Sequence, residues 1–122
     1  GEWVSATNGP HSELIEIGAH SVTHGCFGGM NPDKQEVEIQ QSRDILQDII
    51  GRPVRTFSYP NGSYSALTPE LVRQSGFECA CTSREGLYRS NSNPFLMPRV
   101  WVPSVGGAVF EKWLMPWSSG GR

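Results

Sequence analysis

The chain is poor in the features that mark several large classes of protein. It has no apolar run near the 18 residues that indicate a transmembrane helix, so no membrane insertion is expected. Its 10 basic and 12 acidic residues nearly cancel, which gives no reason to expect binding to nucleic acid or to an anionic membrane. Its three cysteines cannot all pair within one chain, so they do not indicate a disulfide framework.

Histidine is scarce too, and two of the three histidines stand only four residues apart. His20 and His24 follow a short apolar segment, Leu14 to Ala19, whose β-branched residues are typical of a buried strand. If the chain turns into a helix after His20, one helical turn brings both imidazoles to the same face. Two convergent neutral imidazoles suit zinc or a similar divalent metal. The spacing alone is also compatible with a plain α/β domain in which the histidine pair is structural.

Signals for helices and strands alternate along the rest of the chain. Asn31 and Pro32 predict the start of a helix, and Gly51 followed by Pro53 predicts its end near residue 50. The apolar face of this helix is predicted from its large aliphatic residues, which are Val37, Ile45, Leu46, Ile49 and Ile50. The other predicted elements are strands over 54–59, 77–82 and 99–102 and helices over 70–75 and 107–117.

This alternation predicts an α/β fold in which helices pack against a mostly parallel sheet. Residues 1–122 form a single domain in this interpretation, with a disordered tail over 118–122. Ligands of such folds bind outside the carboxyl ends of the strands. His20 and the turn Tyr59-Pro60-Asn61-Gly62 both follow predicted strands, so we expect them to lie at one edge of the sheet.

Three stretches add a family resemblance: E-I-G-A-H-S-V-T-H over 16–24, F-S-Y-P-N-G-S-Y-S over 57–65 and L-M-P-R-V-W-V over 96–102. Together they resemble the polysaccharide deacetylases, the carbohydrate esterases of the chitooligosaccharide-deacetylase type. The first stretch is similar to that family's second motif, H-[S/T]-x-x-H, and the second to its third motif. The resemblance covers about residues 13 to 115 and implies a partial, irregular (β/α) barrel-like fold.

The resemblance also implies a function and a metal. The family hydrolyses N- or O-acetyl groups of acetylated sugars, with a water activated by a metal that two histidines and one aspartate hold. By motif position His20 and His24 are the metal ligands. Zinc is the expected metal, with cobalt or nickel as alternatives.

Further site residues follow from motif positions. The third motif provides a backbone N–H for the oxyanion, at Tyr59 or one of its immediate neighbours. Tyr59 and Pro60 would line the groove, with Ser58 and Asn61 beside them as substrate-binding residues. Arg99 would bind a carboxylate or polarise the substrate, since an arginine cannot donate a proton near neutral pH. A strand-start arginine in a surface salt bridge is the alternative.

The sequence also departs from the family pattern. The first motif, whose Asp-Asp pair supplies the base and the third ligand, is absent from the first 19 residues, and no histidine follows His24 to act as the late general acid. We therefore expect the C-terminal portion of a deacetylase domain, weakly active or inactive by itself. Glu16, Asp33 or an acid from a neighbouring chain are candidate substitutes, and no spacing favours one. The exposed edges of a truncated barrel predict a homo-oligomer.

The alternative interpretation is a non-catalytic module, derived from a deacetylase, for saccharide binding or assembly. Its stacking surfaces would come from four aromatic residues, which are Tyr59, Tyr64, Trp101 and Trp113. The localisation stays open between the bacterial cytoplasm and the cell envelope.

Overall fold

The computed structural model describes residues 14–118, in which helices and strands alternate as the sequence predicts. In chain order the α-helices and strands are α1 (Pro32–Ile50), β1 (Thr56–Ser58), α2 (Thr68–Gln74), β2 (Cys79–Glu85), β3 (Met97–Arg99) and α3 (Gly107–Ser118). Two short 3-10 helices lie over Phe27–Gly29 and Pro60–Gly62. Of the predicted disordered tail, Ser118 is the last residue of α3, and 119–122 lie outside the described residues. No helix within 14–118 combines the length and apolarity that crossing a membrane requires.

The three strands form one parallel sheet in the order β1-β2-β3, which confirms the predicted fold class. The strand predicted before His20 is reduced to one parallel bridge, in which Ala19 lies opposite Phe57. The Ala19 N–H donates to the Thr56 carbonyl at 2.8 Å, and the Ser58 N–H donates to the Ala19 carbonyl at 2.9 Å. Because this segment and the strands run parallel, their carboxyl ends lie at the same edge of the sheet.

Helix α1 begins and ends at the predicted residues. The Asn31 side chain accepts a hydrogen bond from the Lys34 N–H at 2.8 Å, and Gly51 adopts a left-handed φ of 72° that ends the helix. The cap residues are local signals, which is why the sequence locates both ends of this helix.

The apolar face predicted for α1 is wrong at three of its five positions. Val37, Ile45 and Ile49 are each about half exposed, at 50%, 50% and 55%. The face that is buried instead contains Gln35, Glu38, Ile39, Ser42 and Ile50. Polar side chains are tolerated on this face because they bond the backbone of neighbouring loops, which removes most of the cost of burying them.

The core lies between the sheet and the helices α1 and α2. Phe57 of β1 is at its centre, and its ring lies 5.9, 5.7 and 5.4 Å from those of Phe27, Tyr59 and Phe77. The neighbouring strand residue Ser58 is only half-buried, so the opposite face of the sheet is more open. Alternation along β1 therefore places the Phe57 side chain in the core and the Ser58 side chain on the opposite face.

Gly18 marks the close approach of the segment that carries His20 to β1. A Cβ added at Gly18 would lie 2.5 Å from Thr56 Oγ1. We expect Gly18→Ala to lower the free energy of unfolding, measured with urea, by about 1–3 kcal/mol, because the crowded segment must move away from β1. The double variant Gly18→Ala/Thr56→Ala should recover part of that loss. Gly29→Ala is the control, since nothing lies within 4 Å of its added Cβ, and an equal loss there would contradict the prediction.

Candidate metal centre

His20 lies directly after the Ala19 bridge, at the carboxyl edge of the sheet. Its Nδ1 is 2.7 Å from the carbonyl oxygen of Ser58. Because a carbonyl oxygen only accepts, Nδ1 carries the proton and donates it. In the neutral ring Nε2 then keeps its lone pair. When Nδ1 is held in this way, Nε2 is the atom that can bind a metal.

His24 lies beside His20, although not for the reason of helical spacing. The two ring centroids are 4.8 Å apart with an angle of 64° between the ring planes. The helical turn considered in the sequence analysis does not form. The chain forms a loop instead, in which Ser21 and His24 have left-handed φ values of 67° and 60° and the His24 N–H donates to Ser21 Oγ at 2.9 Å. A tight loop therefore brings the two imidazoles together.

Glu38 of α1 anchors the loop between the histidines. Its side chain is buried, with 4% of the residue exposed. Oε2 accepts from the N–H groups of Val22 and Thr23 at 3.0 and 3.2 Å, and Oε1 accepts from the Thr23 hydroxyl. The sequence interpretation missed this residue, because a glutamate within a helix is usually solvated. The signal that reveals it is its spacing of three and four residues from Gln35 and Ser42 on the buried face.

The turn after β1 lies at the same edge, but two of its side chains belong to the core. Tyr59 is 2% exposed and donates its phenol proton to the Phe95 carbonyl at 2.7 Å. Burial raises the pKa of Tyr59, so its phenol stays neutral at ordinary pH. Pro60 is buried as well, whereas Ser58 is half-buried and Asn61 is exposed. The expectation that Tyr59 and Pro60 line an open groove does not fit these side-chain positions, which leaves their backbone atoms for any ligand contact.

Most backbone N–H groups around this turn already have partners. The Ser58 N–H donates to Ala19 and the Tyr59 N–H donates to the Cys81 carbonyl at 3.2 Å, while Pro60 has no N–H. The backbone N–H of Asn61 has no hydrogen-bond partner among residues 14–118. Its side-chain Nδ2 donates to Cys26 Sγ at 3.5 Å.

Backbone strain is concentrated at this edge. In the described part of the chain the non-glycine residues with positive φ are Ser21, His24 and Asn61, the last at 55°. Such conformations cost about 1–3 kcal/mol each and cluster at functional sites. All three lie in the two loops that follow Ala19 and β1.

Arg99, the last residue of β3, borders two cavities at the sheet edge. The first, of about 330 Å³, is also lined by His20, Ser58 and Cys81. The second, of about 280 Å³, is also lined by Ser83 and Trp101. The Trp101 side chain is strongly exposed, at 82% of the residue. Arg99 thus lies between the cavity beside His20 and the cavity beside the exposed indole of Trp101.

The donor set fits part of a metal site. Two imidazoles suit a borderline-soft divalent ion, and the Ser58 carbonyl is the kind of outer partner that orients a ligating histidine. Across residues 14–118 no three histidine, cysteine, aspartate or glutamate side chains converge on one point. The nearest acid before the pair, Glu16, lies 3.9 Å from the Arg55 guanidinium instead. The described residues therefore bring together two side chains of a type that binds zinc, whereas catalytic zinc usually has three protein ligands.

Two imidazoles lie at the carboxyl edge of a parallel sheet. This edge is where ligands bind in α/β proteins. The family profile described as polysaccharide deacetylase matches residues 7–80. The chain is also 24% identical over 101 residues to the Bacillus subtilis protein YxkH, whose name describes it as a polysaccharide deacetylase. That match spans 82% of this chain and 36% of YxkH, so the chain corresponds to about a third of the relative's length. The chain belongs to the polysaccharide deacetylase family.

Solved structures share the fold. The Streptococcus pyogenes deacetylase PplD in complex with acetate superimposes with a TM-score of 0.64 and 23% identity, over 66% of this chain and 36% of that chain. The deacetylase domain of BpsB from Bordetella bronchiseptica gives a TM-score of 0.68 and 14% identity, over 80% of this chain and 47% of that chain. The expected partial (β/α) barrel-like fold is thereby confirmed.

The structure assigns the Tyr59 side chain to the core, and this assignment is testable. Tyr59→Phe removes the donor to the Phe95 carbonyl, so the free energy of unfolding should fall by about 0.5–1.5 kcal/mol in urea titrations. Any affinity of the imidazole pair for zinc should not change, because the phenol bonds the Phe95 carbonyl and not an imidazole. A variant of unchanged stability that had lost zinc binding would contradict this assignment.

Proposed function

We propose that this chain is the histidine-bearing part of a metal-dependent deacetylase that removes acetyl groups from N- or O-acetylated sugars. The observation that carries the proposal is the pairing of His20 and His24, with Nδ1 of His20 held by the Ser58 carbonyl. Membership of the polysaccharide deacetylase family supports the reaction class. The acetate bound to PplD is the product that such a reaction releases, which supports the same class by analogy.

His20 and His24 would hold the metal, for which zinc is the first candidate and cobalt or nickel the alternatives. A bound metal of this kind supplies Lewis acidity, which polarises an acetyl carbonyl and makes water a stronger nucleophile. The bond to Ser58 orients the His20 ring and fixes its tautomer, so the ligand nitrogen is available before any metal binds.

Asn61 and Arg99 would bind the substrate at the same edge. The Asn61 N–H is the remaining donor in the expected oxyanion segment, because the N–H groups of Ser58 and Tyr59 have partners and Pro60 has none. One such donor contributes about 10²–10³ in rate in well-studied hydrolases. Arg99 would orient the substrate with its fixed positive charge, on the side towards Trp101.

The third ligand and the base would come from outside the described residues. Further sequence of the kind that the longer relatives contain is one source, and a second copy of the chain against the open sheet face is another. In either case the pair of imidazoles is the part of the centre that this chain contributes. The isolated chain would then bind metal more weakly than a complete site and hydrolyse acetyl groups slowly.

Zinc content tests the assignment of the ligands. After incubation with zinc and gel filtration, elemental analysis should find zinc bound to the chain and lost in both His20→Ala and His24→Ala. His11→Ala is the matched control, because it removes the remaining histidine of the sequence. Equal zinc in all four proteins, or an equal loss in the control, would contradict the ligand assignment.

The same proteins test the reaction. Acetate release from N-acetylated chitooligosaccharides should depend on zinc and fall at least about tenfold in His20→Ala, since the metal provides the Lewis acid. Release that a chelator leaves unchanged would contradict a metal-dependent deacetylase.

A second candidate function, saccharide binding without catalysis, is favoured by the exposure of Trp101 beside Arg99. An exposed indole offers an apolar face on which a sugar ring can stack. In this case the metal-free chain should bind chitooligosaccharides, and binding should change its tryptophan fluorescence. Trp101→Ala should abolish the binding and the fluorescence change. Tyr88→Ala is the control and should bind normally, because it removes an exposed aromatic ring that does not line the cavity shared by Trp101 and Arg99. Binding that persists in Trp101→Ala would exclude the indole as the binding surface.

A further inference from the structure

We propose that Glu38 is a positioning residue, whose carboxylate holds His24 at its distance from His20 through the loop that separates them. The inference rests on the proposed function, in which these two histidines are the metal ligands. It concerns a residue whose hydrogen bonds go to Val22 and Thr23 and to neither imidazole, so it would act through the loop.

The first step of the inference concerns the buried location of the Glu38 carboxylate. An ionised carboxylate is costly to bury unless hydrogen-bond donors surround it. Glu38 is 4% exposed, and its donors are the N–H of Val22, the N–H of Thr23 and the Thr23 hydroxyl. Two successive N–H groups that face one anion form a concave nest, and such charge-assisted bonds are stronger than neutral ones. Every donor therefore comes from the short interval between the two candidate ligands.

The surroundings of the loop carry the second step. On one side, the bridge of Ala19 to β1 and the Ser58 carbonyl fix His20. On the other side, Gln35 donates to the Phe27 and Met30 carbonyls at 3.1 and 2.7 Å, just after His24. Between these two attachments, residues 21–26 contain no helix or strand.

The third step concerns the strain of that loop. Ser21 and His24 hold left-handed conformations that non-glycine residues avoid. A loop of this kind relaxes unless its surroundings hold it in place. The bonds to Glu38 provide that restraint, because they fix the two residues that lie between the strained positions. Removing them should leave the fold in place and release the spacing of the histidines.

Hydrogen exchange in the metal-free protein gives the first test. In Glu38→Ala the amides of Val22 and Thr23 should exchange at least about tenfold faster, because their acceptor is gone. Glu38→Gln should stay near wild type, since its amide oxygen can accept both N–H groups while its NH₂ donates to the Thr23 hydroxyl. Glu36→Gln is the matched control on the exposed side of α1 and should change nothing. Unchanged exchange at these two amides in Glu38→Ala would overturn the proposal, as would an equal rise across the whole chain, which indicates a general loss of stability.

Zinc affinity gives the second test. Glu38→Ala should bind zinc about 10–100-fold more weakly, as is common when residues that orient ligands are removed. Glu38→Gln should restore the affinity to within about threefold, which a loss of buried volume would not explain. If a folded Glu38→Ala protein bound zinc as well as wild type, the positioning role would be excluded.

Two further outcomes have defined meanings. If Glu38→Ala does not fold, Thr23→Val decides, because it removes only the hydroxyl donor. This variant should still unfold cooperatively in urea, with somewhat lower stability, and should bind zinc several-fold more weakly. Equal zinc affinity in Thr23→Val and wild type would then overturn the proposal. If the wild-type protein binds no zinc, the proposed metal function fails, while the exchange of Val22 and Thr23 still tests whether Glu38 holds the loop.

Discussion

The candidate site depends on hydrogen bonds between the buried polar face of α1 and two neighbouring segments, which are the loop between the histidines and the short 3-10 helix after it. Glu38 accepts from the loop between the histidines, and Gln35 donates to the Phe27 and Met30 carbonyls while accepting from the Thr68 hydroxyl at 2.6 Å. A helix with an entirely apolar face would pack against the sheet and leave these loops unattached. Because buried polar groups are costly unless they are bonded, the arrangement favours one loop geometry over its alternatives.

These bonds are comparable in size to the strain that they oppose. Left-handed backbone at Ser21, His24 and Asn61 costs about 1–3 kcal/mol for each residue. A hydrogen bond to a charged group contributes about 1.5–3 kcal/mol. Glu38 accepts several bonds, so its carboxylate is sufficient to hold a loop that would otherwise relax. The histidine rings are therefore placed without a ligand, which under the proposed function would lower the entropy lost on metal binding.

The sequence predicts those parts of the molecule that are governed by local chemistry. Asn31 with Pro32 and Gly51 locate the ends of α1 because caps act within one turn, and the alternation of elements predicts the parallel sheet. The spacing of the histidines predicts their proximity, although a strained loop and not a helix achieves it. The buried role of Glu38 and the core position of Tyr59 depend on partners 15 and 36 residues away. Helical spacing can place Glu38 on a buried face, but it does not identify these distant partners.

Under the proposed function, the incomplete ligand set would make metal binding and assembly parts of one equilibrium. Two imidazoles held by the chain's own bonds would form a weak site, and each additional ligand would increase the affinity for the same ion. By thermodynamic linkage, whatever supplies the third ligand is bound more tightly when the metal is present, by the same factor as it tightens the metal. The rigidity of the histidine loop affects the size of this coupling free energy, because a loop that rearranged on metal binding would lose conformational entropy and reduce it. A loop already held in place by Glu38 and Ser58 would not have this loss, so the full coupling free energy would act on the incoming ligand.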